Sequence, residues 1–323
     1  MASYLILCED RSTQPLLSMV GVQRLPGIYN QSVPLRVSTI AFLNPAPLLY
    51  NFEHEPAATR LREHFEVHYT SPAICAAELH SGSADLGLIP IAALTSSLVV
   101  VPGCAIASQS EVRSILLLVK NPSGLSVAEA LQRVQTVAAD VASRSSLAYA
   151  QILFQHFHHT HPTFLPLPAD PTAMLAAADA ALLIGDPALL ARERRDAVDA
   201  AAGCPLLWLD LAHLWRELTG LPWVAAVWAL RPEALAPASL SPQQLVDDLA
   251  ASRDAGLANI ERLVQEWTPR LAISAQTIRA YLSHNIHYAL DPDCLRAIEL
   301  FRSLAAGIDL LPPLSLRMIE GAA

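Results

Sequence analysis

The sequence predicts an α/β protein with a parallel or mixed sheet, because short apolar, β-branched runs alternate with segments of helical pattern along most of the chain. Several of these runs also end at a proline or glycine just before a helical segment, as in 37–47, 85–90 and 179–187. Beyond Pro232 the pattern is mainly helical, so we expect the carboxyl-terminal block to consist of helices.

The first expected strand, 37–43, is followed by Asn44-Pro45-Ala46-Pro47. Proline has no N–H to donate to a strand ladder, so the strand ends here and a helix is expected to begin near Pro47. Asn44 has two roles open to it. It is a good helix N-cap, and it stands at the carboxyl end of a strand, where ligands bind in open α/β sheets.

The remaining elements follow from the same periodicity and turn residues. Pro102-Gly103 is interpreted as a turn between two short strands, and 120–124 as a crossing into another unit. Residues 1–34 show no period and are expected to form a loose extension. Further strands are expected within 60–69 and at 85–90, 98–101, 104–108, 115–119, 136–139, 179–185, 206–211 and 223–230. Helices are expected at 72–80, 126–133, 147–158, 174–178, 213–218, 241–264, 274–282 and 292–306.

Two groups of polar residues stand at the expected ligand edge. Ser143, Ser145 and Ser146 open a helix, and hydroxyls beside the free N–H groups of a helix start suit a carboxylate or phosphate. The same serines also serve as ordinary N-caps. Asp140 and Asp186 each follow an expected strand, and Asp186 is either a carboxylate at the ligand edge or the cap of the next helix.

The composition excludes some classes of function. With 323 residues, 53% of them hydrophobic, the chain can bury one large core or two lobes. The formal net charge of −9 argues against a nucleic-acid partner, which needs a basic face, but leaves an anionic small molecule open. Gly-x-Gly-x-x-Gly, P-loop, Gly-x-Ser-x-Gly and His-Glu-x-x-His motifs are absent, so nucleotide and hydrolase chemistry have no local support.

Secretion, a membrane span and a metal site are not predicted. The amino terminus lacks a basic region and a long apolar run, and the uncharged stretch 86–110 is broken into short pieces by prolines and glycines. The five scattered cysteines predict buried free thiols, a cytoplasmic protein and no zinc. The histidines of 156–161, and the pair His284 and His287, are interpreted as solvated helix ends.

Seven stretches lie in a fixed order between about Arg36 and Leu311. They are Ile40-Ala-Phe-Leu-Asn-Pro-Ala-Pro-Leu49, Ala84-Asp-Leu-Gly-Leu-Ile-Pro90, 106–117, Ser143-Arg-Ser-Ser146, Ala181-Leu-Leu-Ile-Gly-Asp-Pro-Ala-Leu189, 218–228 and Tyr281-Leu-x-x-Asn-Ile-His-Tyr288. Together they resemble the chorismate dehydratases of the futalosine route to menaquinone, in that family's order and roughly its spacing.

The resemblance implies a two-lobed α/β fold of the type II periplasmic-binding-protein kind, with a ligand cleft between the lobes. Lobe one would consist of residues 35–120 and 224–323, and lobe two of residues 121–223. The extension 1–34 would precede both lobes in the sequence. The crossings between the lobes would lie near 120–124 and 222–223.

The resemblance also implies a hydro-lyase. Chorismate would lose the hydroxyl at ring C4 and the hydrogen at C3, giving 3-[(1-carboxyvinyl)oxy]benzoate and water without a metal or redox cofactor. By position, Asn44 would be the catalytic residue against the substrate. The substrate-binding residues so implied are Ser108, Ser114, Ser143, Arg144, Ser145, Ser146, Gly185 and Asp186, although Arg144 could equally point outward.

Two departures from the family pattern concern carboxylate binding: Ile91 replaces a serine, and Gln109-Ser110 replaces Asp-Gly. The proton acceptor is left open. Because Asn44 and the serines are poor bases, our hypothesis is that the enolpyruvyl carboxylate of the substrate takes the ring proton, with Asn44 holding the pose or assisting the departing hydroxyl. The alternative makes Asp186 the base.

Two other functions share this fold, and fold alone does not choose between them. One is the sister enzyme of the same pathway that forms dihydroxynaphthoate, which fits 143–146 and 219–222 less well. The other is a non-catalytic solute-binding protein for small anions, which would need a secretion signal. Chorismate is the expected small-molecule partner, no membrane partner is expected, and a homodimer is compatible with the sequence.

Overall fold

The structure is a computed structural model that describes residues 33–321. The expected extension therefore lies outside the described residues up to position 32. The strands are β1 (Leu35–Ile40), β2 (Phe65–Thr70), β3 (Leu86–Pro90), β4 (Val99–Ser108), β5 (Ile115–Lys120), β6 (Thr136–Asp140), β7 (Thr163–Leu167), β8 (Ala180–Ile184), β9 (Leu206–Asp210), β10 (Trp223–Leu230) and β11 (His287–Leu290). The helices are α1 (Tyr50–Glu53), α2 (Ala57–Leu61), α3 (Pro72–Ser81), α4 (Val127–Arg133), α5 (Ser145–Ile152), α6 (Pro171–Ala177), α7 (Gly185–Glu193), α8 (Arg195–Ala202), α9 (Leu211–Thr219), α10 (Leu235–Ala238), α11 (Pro242–Ala258), α12 (Ile260–Trp267), α13 (Ala275–Ala280) and α14 (Pro292–Gly307).

The strands form two mixed sheets, in the orders β11-β4-β10-β3-β1-β2 and β7-β6-β8-β5-β9. In the first sheet β1 is parallel to β2 and β3, and β10 runs antiparallel to β3 and β4. In the second sheet β6 is parallel to β7 and β8, and β5 runs antiparallel to β8 and β9. The two sheets confirm the predicted two-lobed α/β arrangement.

The chain passes between the two sheets twice. It leaves the first sheet after Ser108 and enters the second at Ile115, and it returns to the first sheet at Trp223. The sequence placed the first crossing at 120–124, but β5 pairs with β8 and β9, so the crossing between sheets lies at 109–114. The extent of each lobe beyond its sheet stays a prediction.

A buried carboxylate holds the first crossing in place. Asp210, at the end of β9, accepts the N–H groups of Val112 at 3.3 Å and Arg113 at 2.6 Å. The same carboxylate caps α9 through the N–H groups of Ala212 and His213. Burial raises the pKa of Asp210, and these N–H groups oppose that effect because they stabilise the charged form.

Three sheet details differ from the prediction. The stretch 98–108 forms one strand, β4, in which Pro102-Gly103 accompanies a register shift against β10 instead of a turn. β7 and β11 were not predicted as strands. Both are edge strands, and β7 contains Pro166, which is tolerated at an edge but weakens a strand pattern in the sequence.

The local signals at helix ends and cysteines agree with the structure. Ser241 forms a capping box at the start of α11, and Gly82 ends α3 in the left-handed conformation. Cys75, Cys104 and Cys294 are buried free thiols, as predicted. Cys204 is also free but only half-buried, and Cys8 lies outside the described residues. Within 33–321, no helix has the length and apolarity that crossing a membrane requires.

Candidate active site

A narrow cleft lies between the carboxyl ends of β1, β3 and β8, the start of α5 and part of β10. Its lining is mainly apolar and consists of Ile40, Phe42, Asn44, Pro72, Pro90, Ile106, Ile115, Ala142, Arg144, Ser145, Ser146, Ile184, Gly185, Ala225 and Ala226. The enclosed volume is about 40 Å³, whereas small-molecule sites typically measure about 300–1,000 Å³. The two lobes must therefore move apart to admit an organic ligand.

Asn44 does not cap a helix. The segment that follows, Ala46–Leu49, is a 3₁₀ turn with Pro45 at the N-cap and no side-chain cap. Asn44 Oδ1 is buried and has no hydrogen-bond partner among the described residues. A buried acceptor without a donor is unfavourable, so this oxygen is poised to accept a hydrogen bond from a ligand in the cleft.

Tyr281 is a buried neighbour of Asn44. Its ring is fully buried, and its hydroxyl donates to Ser114 Oγ at 2.8 Å. Burial raises the pKa of Tyr281, whereas the neighbouring Ser114 and Asn44 side chains lower it.

The serines at the start of α5 have three different roles. Ser143 Oγ accepts the N–H of the residue four positions further on, as a cap does. Ser145 Oγ donates to the Ala225 carbonyl at 2.9 Å and accepts the Ala92 N–H at 3.3 Å, which joins α5 to the first sheet. Ser146 is buried and lines the cleft. Since the first N–H groups of a helix have no intrahelical acceptor, a carboxylate beside Ser146 would meet donors and a positive helix end.

Asp186 and Gly185 form a contact between the lobes. Asp186 Oδ1 accepts the Leu43 N–H at 3.0 Å, and the N-cap of α7 is Ile184, so Asp186 is not a cap. Burial raises the pKa of Asp186 to about 6. Gly185 has φ +61°, and a Cβ there would lie 2.6 Å from the Phe42 ring. The closed cleft therefore depends on a glycine at this position.

The cleft brings together part of the predicted site. Its lining includes five of the predicted residues, Asn44, Arg144, Ser145, Ser146 and Gly185. It does not include Ser108, Ser114, Ser143 or Asp186. Ser108 is buried at the end of β4 and its Oγ accepts the Ser110 N–H at 3.4 Å. Substrate contacts by all of these residues stay predictions.

The two family departures have structural counterparts. Ile91, which replaces a serine, is fully buried directly after β3 and does not line the cleft. Gln109 Nε2 donates to Asp291 Oδ2 at 3.5 Å. Asp140 orders the loop before α5, since its Oδ1 accepts the Ala142 N–H at 2.9 Å, and burial raises the pKa of Asp140.

One group of metal-ligand type residues is found within the described part of the chain: His287, Asp291 and Cys294, with donor atoms within 4.8 Å of one another. Asp291 pairs with His287 Nε2 and accepts the Cys294 N–H, both at 2.8 Å. Burial raises the pKa of the Cys294 thiol to about 12. These hydrogen bonds account for the cluster as the cap of α14. The interpretation of His287 as a solvated helix end is wrong, because this residue is half-buried on β11.

Comparisons with known proteins bear on the family and the fold. The chain matches the family model described as menaquinone biosynthesis over residues 35–307. A curated relative, the chorismate dehydratase of Thermus thermophilus, is 32% identical over 130 residues, which is 38% of this chain and 46% of the relative. The match thus spans less than half of that relative's length.

Solved structures share the fold at low sequence identity. A protein from Archaeoglobus fulgidus superposes with a TM-score of 0.62 at 15% identity, covering 86% of this chain and 98% of its own. The alkanesulfonate-binding protein SsuA from Xanthomonas axonopodis pv. citri, bound to MOPS, gives 0.60 at 18% identity, with 86% and 94% covered. A Candida albicans protein with the generic periplasmic binding protein fold gives 0.59 at 10% identity, with 90% and 99% covered. These structures confirm the predicted fold, and the family match over most of the chain leads to one conclusion: the chain belongs to the menaquinone biosynthesis family.

Proposed function

We propose that the protein is a chorismate dehydratase, a hydro-lyase that converts chorismate to 3-[(1-carboxyvinyl)oxy]benzoate and water. The observation that carries this proposal is the unpartnered amide oxygen of Asn44 in a cleft that also contains the start of α5. Membership of the menaquinone biosynthesis family and the partial match to a chorismate dehydratase support the same reaction.

The polar groups of the cleft fit a dianionic ring that carries a hydroxyl. One carboxylate binds at the α5 start, to the Ser146 hydroxyl and the free backbone N–H groups, with Arg144 adding positive charge at the rim. The C4 hydroxyl donates to Asn44 Oδ1, which fixes the direction of the C4–O bond. The buried hydrogen bond between Tyr281 and Ser114 lies beside the Asn44 side chain.

The reaction then needs one proton transfer and one bond cleavage. The enolpyruvyl carboxylate takes the proton from C3, the C3–H electrons form the new ring double bond, and the C4–O bond breaks toward oxygen. The departing oxygen receives the proton and leaves as water, and aromatisation drives the step. Apolar residues of the cleft such as Phe42, Ile106 and Ile184 exclude bulk water, which strengthens the polar contacts.

Incubation of the wild-type protein and the Asp186→Asn variant with chorismate tests both the function and the proton acceptor. The wild type is expected to consume chorismate and form an aromatic product absorbing in the ultraviolet. Asp186→Asn is expected to retain near-normal kcat at pH 7.5, because the carboxylate bonds to the Leu43 N–H and does not line the cleft. A loss of more than about 100-fold with the fold intact would make Asp186 the base. No turnover alongside tight binding of small anions would favour a solute-binding protein.

The thermal stability of Asp186→Asn provides a second test, because the raised pKa of Asp186 fixes the direction in which Tm should change with pH. Since the pKa of Asp186 is raised to about 6, its ionisation destabilises the folded form. This cost is absent below the ordinary pKa near 4, grows as pH rises, and is complete above 6, where it is on the order of 3 kcal/mol. Asp186→Asn should therefore have a higher Tm than wild type at pH 7.5 and a similar Tm near pH 4. The exposed Asp196→Asn is the matched control and should follow wild type at both pH values.

A further inference from the structure

A second cavity, of about 400 Å³, shares Arg144 with the cleft. It is formed by α3, the turn after β3, α5, α14 and the segment 310–312. Its walls are mainly alanine and leucine side chains, and its volume falls within the roughly 300–1,000 Å³ of small-molecule sites. We call it the Arg302 pocket, after the cation in its lining.

Arg302 is a buried cation without a counter-ion. It is 3% exposed, and no carboxylate within 33–321 lies at ion-pair distance. Its Nη2 donates to the Pro312 carbonyl at 2.8 Å and its Nη1 to the Ala92 carbonyl at 3.4 Å, while Nε has no partner within 33–321. Burial also lowers the pKa of Arg302.

The lining of the pocket has one sign of charge. Arg302 and Arg144 contribute positive charge to it, and aspartate and glutamate are absent from its lining within 33–321. A buried charge is normally paired. The absence of an acidic residue from this lining also contrasts with the net charge of −9 on the whole chain. The two carbonyls use two of the five guanidinium N–H donors and leave the charge uncompensated.

We propose that the Arg302 pocket is a second ligand site that binds a small carboxylate with an apolar body. The carboxylate neutralises the Arg302 and Arg144 charges, and the apolar body lies against the alanine and leucine walls. The pocket lies beside the cleft and shares only Arg144 with it, and the proposal does not rest on the dehydratase reaction.

A ligand there would be coupled to the cleft through one residue, Ala92. The Ala92 carbonyl accepts from Arg302, and the Ala92 N–H donates to Ser145 Oγ, which in turn bonds to Ala225. The pocket walls also come from both lobes, since α3 and α14 pack with the first sheet and α5 follows β6 of the second. An occupant would therefore brace the closed arrangement.

Benzoate is the probe for this site, used with the full-length protein in calorimetric titration at constant ionic strength. We expect benzoate to bind, benzamide to bind at least tenfold more weakly because it lacks the charge, and inorganic phosphate to bind more weakly because it lacks the apolar body. Arg302→Gln should weaken benzoate binding at least tenfold.

A second pair of variants keeps the test valid if Arg302→Gln fails to fold. Ala77 is exposed and lines the pocket, so Ala77→Trp should block it and abolish benzoate binding. Ala200→Trp, at an exposed position of α8 outside both cavities, should bind benzoate as wild type does. Absence of benzoate binding in wild type, unchanged binding in Ala77→Trp, or phosphate binding as tight as benzoate would each overturn the proposal.

Discussion

Replacing Asn44 by alanine is expected to lower kcat for chorismate dehydration by about 10²–10³-fold, the usual effect of removing one preorganised polar group from a dry active site. The variant loses the acceptor that orients the C4 hydroxyl. The Tm should change little, because the removed oxygen has no partner among the described residues. Steady-state kinetics with chorismate, together with a melting curve, measures both quantities.

The matched control for this prediction is Asn51→Ala. Asn51 follows the same turn in α1, is half-buried, and does not line the cleft. It should keep wild-type kcat. Equal effects of the two substitutions, or an Asn44→Ala enzyme within about threefold of wild type, would remove Asn44 from the catalytic step.

Gly185→Ala is expected to lower kcat/KM by about 10–100-fold through impaired closure of the lobes. The new Cβ would lie 2.6 Å from the Phe42 ring across the cleft, and the left-handed φ of +61° adds backbone strain. Small-angle scattering should show that the variant is more open than the wild type, because the added Cβ opposes the closed arrangement.

Two further variants separate the clash from the strain. Gly203 has a similar φ of +67° with nothing within 4 Å of an added Cβ, so Gly203→Ala carries only the strain and should close normally. Removing the ring in Gly185→Ala/Phe42→Ala should restore the closed arrangement, because the clash with the added Cβ is gone. If Gly203→Ala is as impaired as Gly185→Ala, the contact with Phe42 does not govern closure.

Local signals in the sequence predicted the frame of the site. The apolar run 37–43 and the prolines after it place Asn44 beyond the carboxyl end of β1, and the Ser-rich segment 143–146 does open α5. These predictions succeed because the strand pattern, proline and helix capping all act within a few residues. The same locality explains the wrong choice of Pro102-Gly103 as a turn, since only pairing with β10 makes β4 continuous.

Contacts between distant segments could not be predicted in this way. Tyr281 meets Ser114 across 167 positions, and Asp186 meets the Leu43 N–H across 143 positions. The sequence signal for Tyr281 was its place in the stretch 281–288, which gave no role. Helix capping by Asn44 and Asp186 was a reasonable interpretation of the local sequence. In the tertiary structure, Asn44 instead offers an acceptor without a partner in the described chain, and Asp186 forms a contact between the lobes.

A dianionic ring is proposed to bind between Asn44 and the start of α5. This binding mode is tested most directly by a crystal structure of the protein with 3-[(1-carboxyvinyl)oxy]benzoate. We predict one product carboxylate about 3 Å from the Ser146 hydroxyl or an α5 N–H group, with the ring in the cleft beside Asn44. Product bound away from this cleft, or with neither carboxylate at the α5 start, would contradict the account.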